Sequence, residues 1–208
     1  MKLGKLNREL MESLVYRYLG VSDSALTVPP RKGFDFSVID IGDYSLIVEV
    51  DPFFVVPEYG WERSAWFAIH ILASDVAVSG VPPKYLFVNL NLPLKMSNKD
   101  LEALWINVHK ECLNLGITIA GGHTGRYEGV DYPMIGGAVM IGITRKGEYV
   151  TPDMARPGDY VIMTKGPGIE TAGILSVMFL DVVKKYYGED FAVKAEKLFW
   201  EQSVVKDA

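Results

Sequence analysis

Apolar and polar residues alternate most cleanly in "KYLFVNLNLPL", where Leu86, Val88, Leu90 and Leu92 fall on one face and Tyr85, Phe87, Asn89 and Asn91 on the other. A period of two predicts a strand whose faces meet different surroundings. "FSVID" and "YSLIVEV" read as two more strands, joined by a hairpin turn at "IGDYS". Helical spacing takes over elsewhere. Leu3, Leu6, Leu10, Leu14 and Tyr18 predict an amphipathic helix over residues 5 to 19, followed by the polar, proline-containing loop "GVSDSALTVPPRKG". "WERSAWFAIHILASDVAVSG" predicts a second helix, ended by Gly80, Pro82 and Pro83. A third starts from a cap at Ser97 or Asn98 and stops at Gly116, after Leu115. "ITIAGG" and "YPMIGGAVMIGIT" complete the strands, with "GGHTG" read as a glycine turn.

This order mixes strands and helices without strict βαβ alternation. It predicts an α+β layer, a mixed and largely antiparallel sheet with helices on one side. Near "TRKGEYVTPDMARPGD" the composition turns polar, which places a domain boundary at about residue 150. Residues 151–208 then read as a strand, "YVIMTK", and two helical stretches, "GPGIETAGILSVMFLDVVKKYYG" and "EDFAVKAEKLFWEQSVVKDA". One strand and two helices cannot bury a core alone. They either pack onto the first domain or begin a longer second one.

Nearly half the residues are apolar (49%), enough for a buried core, and no apolar run is long enough to cross a bilayer. The first helix mixes Lys, Arg and Glu with its leucines and lacks an export signal's apolar centre. A net charge of −5 speaks against a general nucleic-acid binder, whose affinity comes from Lys and Arg on phosphates. The single cysteine, Cys112, sits in a helical run as a small core residue, and such a chain suits a reducing cytoplasm.

Three aspartates stand where the local pattern calls for no charge. Asp35 lies between Phe34 and Phe36, Asp51 ends an apolar strand before Pro52, and Asp75 interrupts "AIHILASDVAVSG". A hard cation such as Mg²⁺ prefers carboxylate oxygen, usually one or two carboxylates together with substrate phosphates. Each aspartate also has an ordinary reading, as a loop residue, an Asp-Pro turn and a solvent-facing helix position respectively. "GGHTG" is equally two-sided: glycine pairs are common in turns, yet they also let backbone N–H groups gather around an anion, with the Thr124 hydroxyl as a further donor. His123 serves as a turn residue or a site residue, while His70 and His109 fall inside helices as structural residues.

Taken in order, these stretches resemble the aminoimidazole ribonucleotide synthetase superfamily, the PurM-like ATP-binding proteins. "GFDFSVIDIGDYSLIVEVDPFF" looks like the family's acidic segment and its strand ending in "TD", and "ILASDVAVSGVPPKYLFVNLNLP" like its "NDIAAMGAXP" helix and strand. "GITIAGGHTG" matches its glycine turn, and "RPGDYVIMTKGPGIETAGIL" resembles the start of its second domain. The resemblance implies that Asp35, Asp51 and Asp75 bind Mg²⁺ or nucleotide phosphates and that Gly121, Gly122 and Thr124 help to cradle them. Arg31 and Lys32, in a glycine-proline loop just before Asp35, read either as a pair that closes over the phosphates or as a solvated basic loop. Several relatives carry an acidic residue where this chain has His123, whose imidazole can instead hydrogen-bond a phosphate oxygen or act as an acid.

The resemblance also implies a homodimer whose N-terminal sheets join as a barrel, and a second domain that runs beyond Ala208. The function it implies is ATP- and Mg²⁺-dependent phosphorylation or activation of a small acceptor, nearest the hydrogenase maturation (HypE-type) and thiamine-monophosphate kinase branch. A nucleotide-binding dimer without catalysis, serving as scaffold or sensor for a partner protein, is the second reading. Neither nucleic acid nor membrane is expected as a partner.

Overall fold

The computed structural model describes residues 4–208. Its six strands, β1 (Leu26–Val28), β2 (Ser37–Ile41), β3 (Tyr44–Phe54), β4 (Pro83–Pro93), β5 (Thr118–Tyr127) and β6 (Met134–Arg145), form one sheet in the order β1-β2-β3-β6-β4-β5. Neighbours are antiparallel except β4 and β5. The predicted hairpin joins β2 to β3 through Gly42 and Asp43, and Gly42, with φ +59°, supplies the positive φ that a two-residue turn needs. Parallel strands cannot be joined by a tight turn. Helix α3 (Asn98–Leu115) makes the crossover from β4 to β5, started by a reciprocal Ser97–Asp100 capping box and ended by Gly116 in the left-handed region.

Helices α2 (Trp61–Ala77) and α3 cover one face of the sheet. Ile47, Phe53, Leu86, Leu90 and Met140 point from the strands into a core that Ile69, Leu72, Leu104 and Val108 fill from the helices, and Cys112 belongs to it. Burial pushes the Cys112 thiol up to about 11, as suits an inert core residue. The predicted alternation of β4 holds, with Leu86, Val88, Leu90 and Leu92 buried. The opposite face carries Ile39, Leu46, Val48, Val50, Phe87, Val139, Ile141 and Ile143, paired across β2, β3, β6 and β4. No helix packs on that face among the described residues, and Val50 is 67% exposed.

Beyond Arg145 the chain returns to the helix side. Helices α4 (Ile169–Met178), α5 (Leu180–Tyr187) and α6 (Glu189–Glu201) dock through Phe199, which packs on Tyr59 and Phe67, and through an Arg63–Glu196 ion pair. Gly173 lets α4 approach α6 closely, since a β-carbon there would lie 2.8 Å from the Phe199 backbone. No helix of the described residues is long and apolar enough to cross a membrane.

Four expectations need correction. The N-terminal helix, α1, is short, α-helical over Arg8–Leu10 and π-wound over Met11–Val15, and Leu3 lies outside the described residues. The loop after it contains β1. "YVIMTK" is not a strand: Tyr160, Val161 and Ile162 are 95%, 100% and 84% exposed, because the β-prone run finds no strand to pair with. The predicted single helix after Gly168 is broken at Phe179, whose φ of −121° and ψ of 35° leave the helical region.

Candidate functional site

The site starts from an interruption in the sheet. β2 pairs with β3 only as far as Ser37↔Val48, so from Glu49 onward β3 has β6 on one side and no strand on the other. The segment from Arg31 to Asp35 passes this notch, turning at Gly33 with φ +86°. From the helix side, α2 brings Asp75 to the same place. The result is a cleft of roughly 540 Å³ lined by Asp35, Asp51, Asp75, Lys32 and Lys5. Residues 40 positions apart in the chain thus meet because a strand, a helix and a loop all end at one gap.

A fourth carboxylate lies beneath them. Glu49 is on the helix-covered face of β3, two residues before Asp51, and is 2% exposed. One carboxylate oxygen from each of Glu49, Asp51 and Asp75 lies within 4.8 Å of the others. Both Glu49 oxygens are buried without a hydrogen-bond partner. Burial, then the charges of Asp75 and Asp51, push Glu49 up to about 9, against a weaker opposing pull from the Met140 backbone N–H, which does not reach hydrogen-bonding geometry. Burial and then Asp35 and Asp51 raise Asp75 to about 7, with Lys5 pulling the other way. Asp51 is raised by its own burial, opposed by Lys5 and assisted by Asp35. Such a group cannot all ionise without a cation among them, and the donor set is all carboxylate oxygen, the chemistry that hard divalent cations take.

Lys32 borders the cleft, whereas its neighbour Arg31 is engaged, 2.6 Å from Asp153 and 3.8 Å over the Phe34 ring. Gly121, Gly122, His123 and Thr124 lie elsewhere, and they form no turn: they are the middle of β5. A bulge at Ala120 shifts the pairing from Leu86↔Ile119 to Phe87↔Gly121. Gly122 has φ +151°, and a β-carbon on it would lie 1.9 Å from the Val88 carbonyl oxygen, so only glycine fits. Asp51, Ala138, Val88 and Gly122 form one row across the sheet, which puts the glycines about 14 Å, or three strand spacings, from Asp51. His123 pairs with Asn89 on the uncovered face and hydrogen-bonds the Tyr127 hydroxyl at 2.5 Å. One chain therefore joins Asp35, Asp51, Asp75 and Lys32, and leaves the glycine strand and His123 apart from them.

Glu49 is the residue that sequence reasoning passed over. Its signal was the period of two, which sets it with Asp51 on the face that Ile47 and Phe53 share. His70 is buried, stacked on Trp66 at 4.1 Å and held between Glu111, at 3.0 Å, and Ser203.

A thiamine-monophosphate kinase of Aquifex aeolicus is 29% identical over 113 residues, 54% of this chain and 35% of its own length. A putative hydrogenase expression/formation protein of Methanocaldococcus jannaschii is 26% identical over 174 residues, 83% of this chain and 51% of its own. The chain thus spans about half or less of these curated relatives. Among solved structures, AaThiL complexed with AMPPCP and TMP superposes with a TM-score of 0.72 at 23% identity, over 99% of this chain and 65% of that one, which shows a shared fold. The model of the family described as AIR synthase related protein, N-terminal domain, matches residues 33–144, more than half of the chain, including Asp35, Glu49, Asp51, Asp75, α2 and the central strands. The chain belongs to that family.

Proposed function

We propose that this chain carries the nucleotide end of an ATP- and Mg²⁺-dependent enzyme that phosphorylates or activates a small acceptor with the γ-phosphate of ATP. The observation that carries this reading is the convergence of Asp35, Asp51 and Asp75 on one cleft with Lys32 at its rim. Support also comes from the relatives, a kinase acting on thiamine monophosphate and a structure that holds AMPPCP and TMP. Asp35, Asp51 and Asp75 are the residues that would hold Mg²⁺, which when bound neutralises phosphate charge and lines up the γ-phosphate for transfer. Lys32 draws the phosphates inward by charge, and the walls from β3 and α2 keep the carboxylates rigidly placed. Residues 1–150 act as the ATP-binding domain, and residues 151–208, docked on it, help to hold the acceptor.

The protein works as a homodimer in this reading, closed through the uncovered, apolar sheet face. A second copy is what brings additional donors toward each cleft, and it gives Gly121, Gly122, Thr124 and the candidate acid His123 a route to the phosphates that one chain alone does not supply. Its separation from the carboxylates favours, as the second reading, a dimer that binds nucleotide without turning it over.

Thermal unfolding with Mg-ATP tests the proposal, with AMP and metal-free ATP as controls. At a ligand level about a hundredfold above Kd, binding adds about 2.7 kcal/mol and raises the midpoint by about 5–11 °C in a chain of this size. A rise that needs both Mg²⁺ and the γ-phosphate is the expected result, and the absence of any rise removes the ATP-dependent function. A rise without ATP consumption in the presence of candidate acceptors selects the scaffold.

A further inference from the structure

We infer that Glu49 is a cation ligand, and that Glu49, Asp51 and Asp75 together hold a divalent cation before any nucleotide arrives. The inference takes the location of the cleft from the proposed function and adds to it a ligand and an order of binding. Nucleotide-dependent Mg²⁺ sites typically use one or two carboxylates and leave the remaining positions to phosphates and water. Here a third carboxylate lies below the cleft floor, 2% exposed, with no partner for either oxygen and with its neighbours' oxygens within 4.8 Å.

Keeping Glu49 protonated does not resolve its position. A neutral carboxyl still has a donor O–H and an acceptor oxygen to satisfy, and burying them unpaired costs free energy. A cation among the three carboxylates satisfies both problems at once, because it supplies a partner to Glu49 and cancels the repulsion from Asp51 and Asp75. The ligands are also fixed in place: Glu49 and Asp51 are successive residues on one face of β3, and Asp75 projects from α2, which packs on that strand. Asp35 is exposed at the rim and outside the 4.8 Å group, which leaves it free to act on a phosphate-bound cation.

The experiment titrates Mn²⁺ alone, without nucleotide, into the protein and follows the free-ion signal by electron paramagnetic resonance, with Mg²⁺ as competitor. One Mn²⁺ per chain is expected, displaced by Mg²⁺. Glu49→Gln is expected to weaken it roughly 10–100-fold, and Asp35→Asn to change it less than about threefold. Should Glu49→Gln fail to fold, Glu49→Asp, which withdraws the carboxylate by one methylene, is expected to weaken binding in the same direction. Wild-type protein that binds no Mn²⁺ without nucleotide, or Glu49 variants that bind as well as wild type, overturn the inference. Because no ATP is present, these outcomes are separate from those of the thermal-shift test: a chain that takes Mn²⁺ but never ATP keeps this site and loses the proposed activity.

Discussion

Replacing Glu49 by glutamine in cation-free protein should make the folded state less sensitive to rising pH. A carboxyl whose pKa is raised on folding binds its proton more tightly in the folded chain, so its stabilising effect is complete below the unfolded value and is lost as pH climbs toward the folded one. For Glu49 the window runs from its ordinary 4.5 to about 9. Within it each pH unit removes about 1.4 kcal/mol, so going from pH 5 to pH 8 removes at most about 4 kcal/mol. Asp75, raised to about 7, adds loss of the same sign up to that pH in both proteins, so the difference between them isolates Glu49. Urea unfolding in EDTA at pH 5, 6, 7 and 8 measures this. The glutamine variant should be close to wild type at pH 5 and clearly more stable at pH 8, with midpoints separated by up to about 2 M for a typical urea dependence. Parallel stability curves for the two proteins would refute the reasoning, because they would mean that Glu49 titrates alike in the folded and unfolded chains.

Gly122→Ala should lower the unfolding free energy by about 2 kcal/mol or more, since its β-carbon meets the Val88 carbonyl oxygen and β5 must detach; an unchanged urea midpoint would show that the bulge yields easily. Phe199→Ala removes the fully buried ring that anchors the C-terminal helices and should cost about 3–5 kcal/mol, read as a lower thermal midpoint with early loss of α4–α6 protection in hydrogen exchange. Ile141→Glu places a charge in the middle of the uncovered sheet face. If copies pair there, burying that charge costs about 3–5 kcal/mol and sedimentation should show dimers becoming monomers with the fold intact. A wild-type protein that sediments as a monomer would remove the dimer.

The elements that could be read from sequence are those whose ends are marked locally. Ser97, Asp100 and Gly116 bracket α3 with caps that act within one turn, and the period of β4 records a sheet with one covered face. "GGHTG" misled because a glycine pair carries turn propensity by itself, whereas its pairing with β4 is set by the α3 crossover, a nonlocal event. "YVIMTK" misled in the opposite sense, having strand propensity but no neighbour to pair with. Asp35, Asp51 and Asp75 stood out as charges in apolar surroundings, yet their meeting depends on where β2 stops pairing, which no local pattern states. Glu49 was hidden by its ordinary place in a strand. Only the packing of α2 over that face turns it from a surface acid into a buried one.

Anomalous diffraction from crystals grown with Mn²⁺ and a non-hydrolysable ATP analogue tests the central claim most directly. A metal peak about 2.1 Å from oxygens of Asp51 and Asp75, with the analogue's phosphates on the Lys32 side of the cleft, is the predicted result. Phosphates bound away from this cleft, with the carboxylates of Asp35, Asp51 and Asp75 touching no metal, would contradict it.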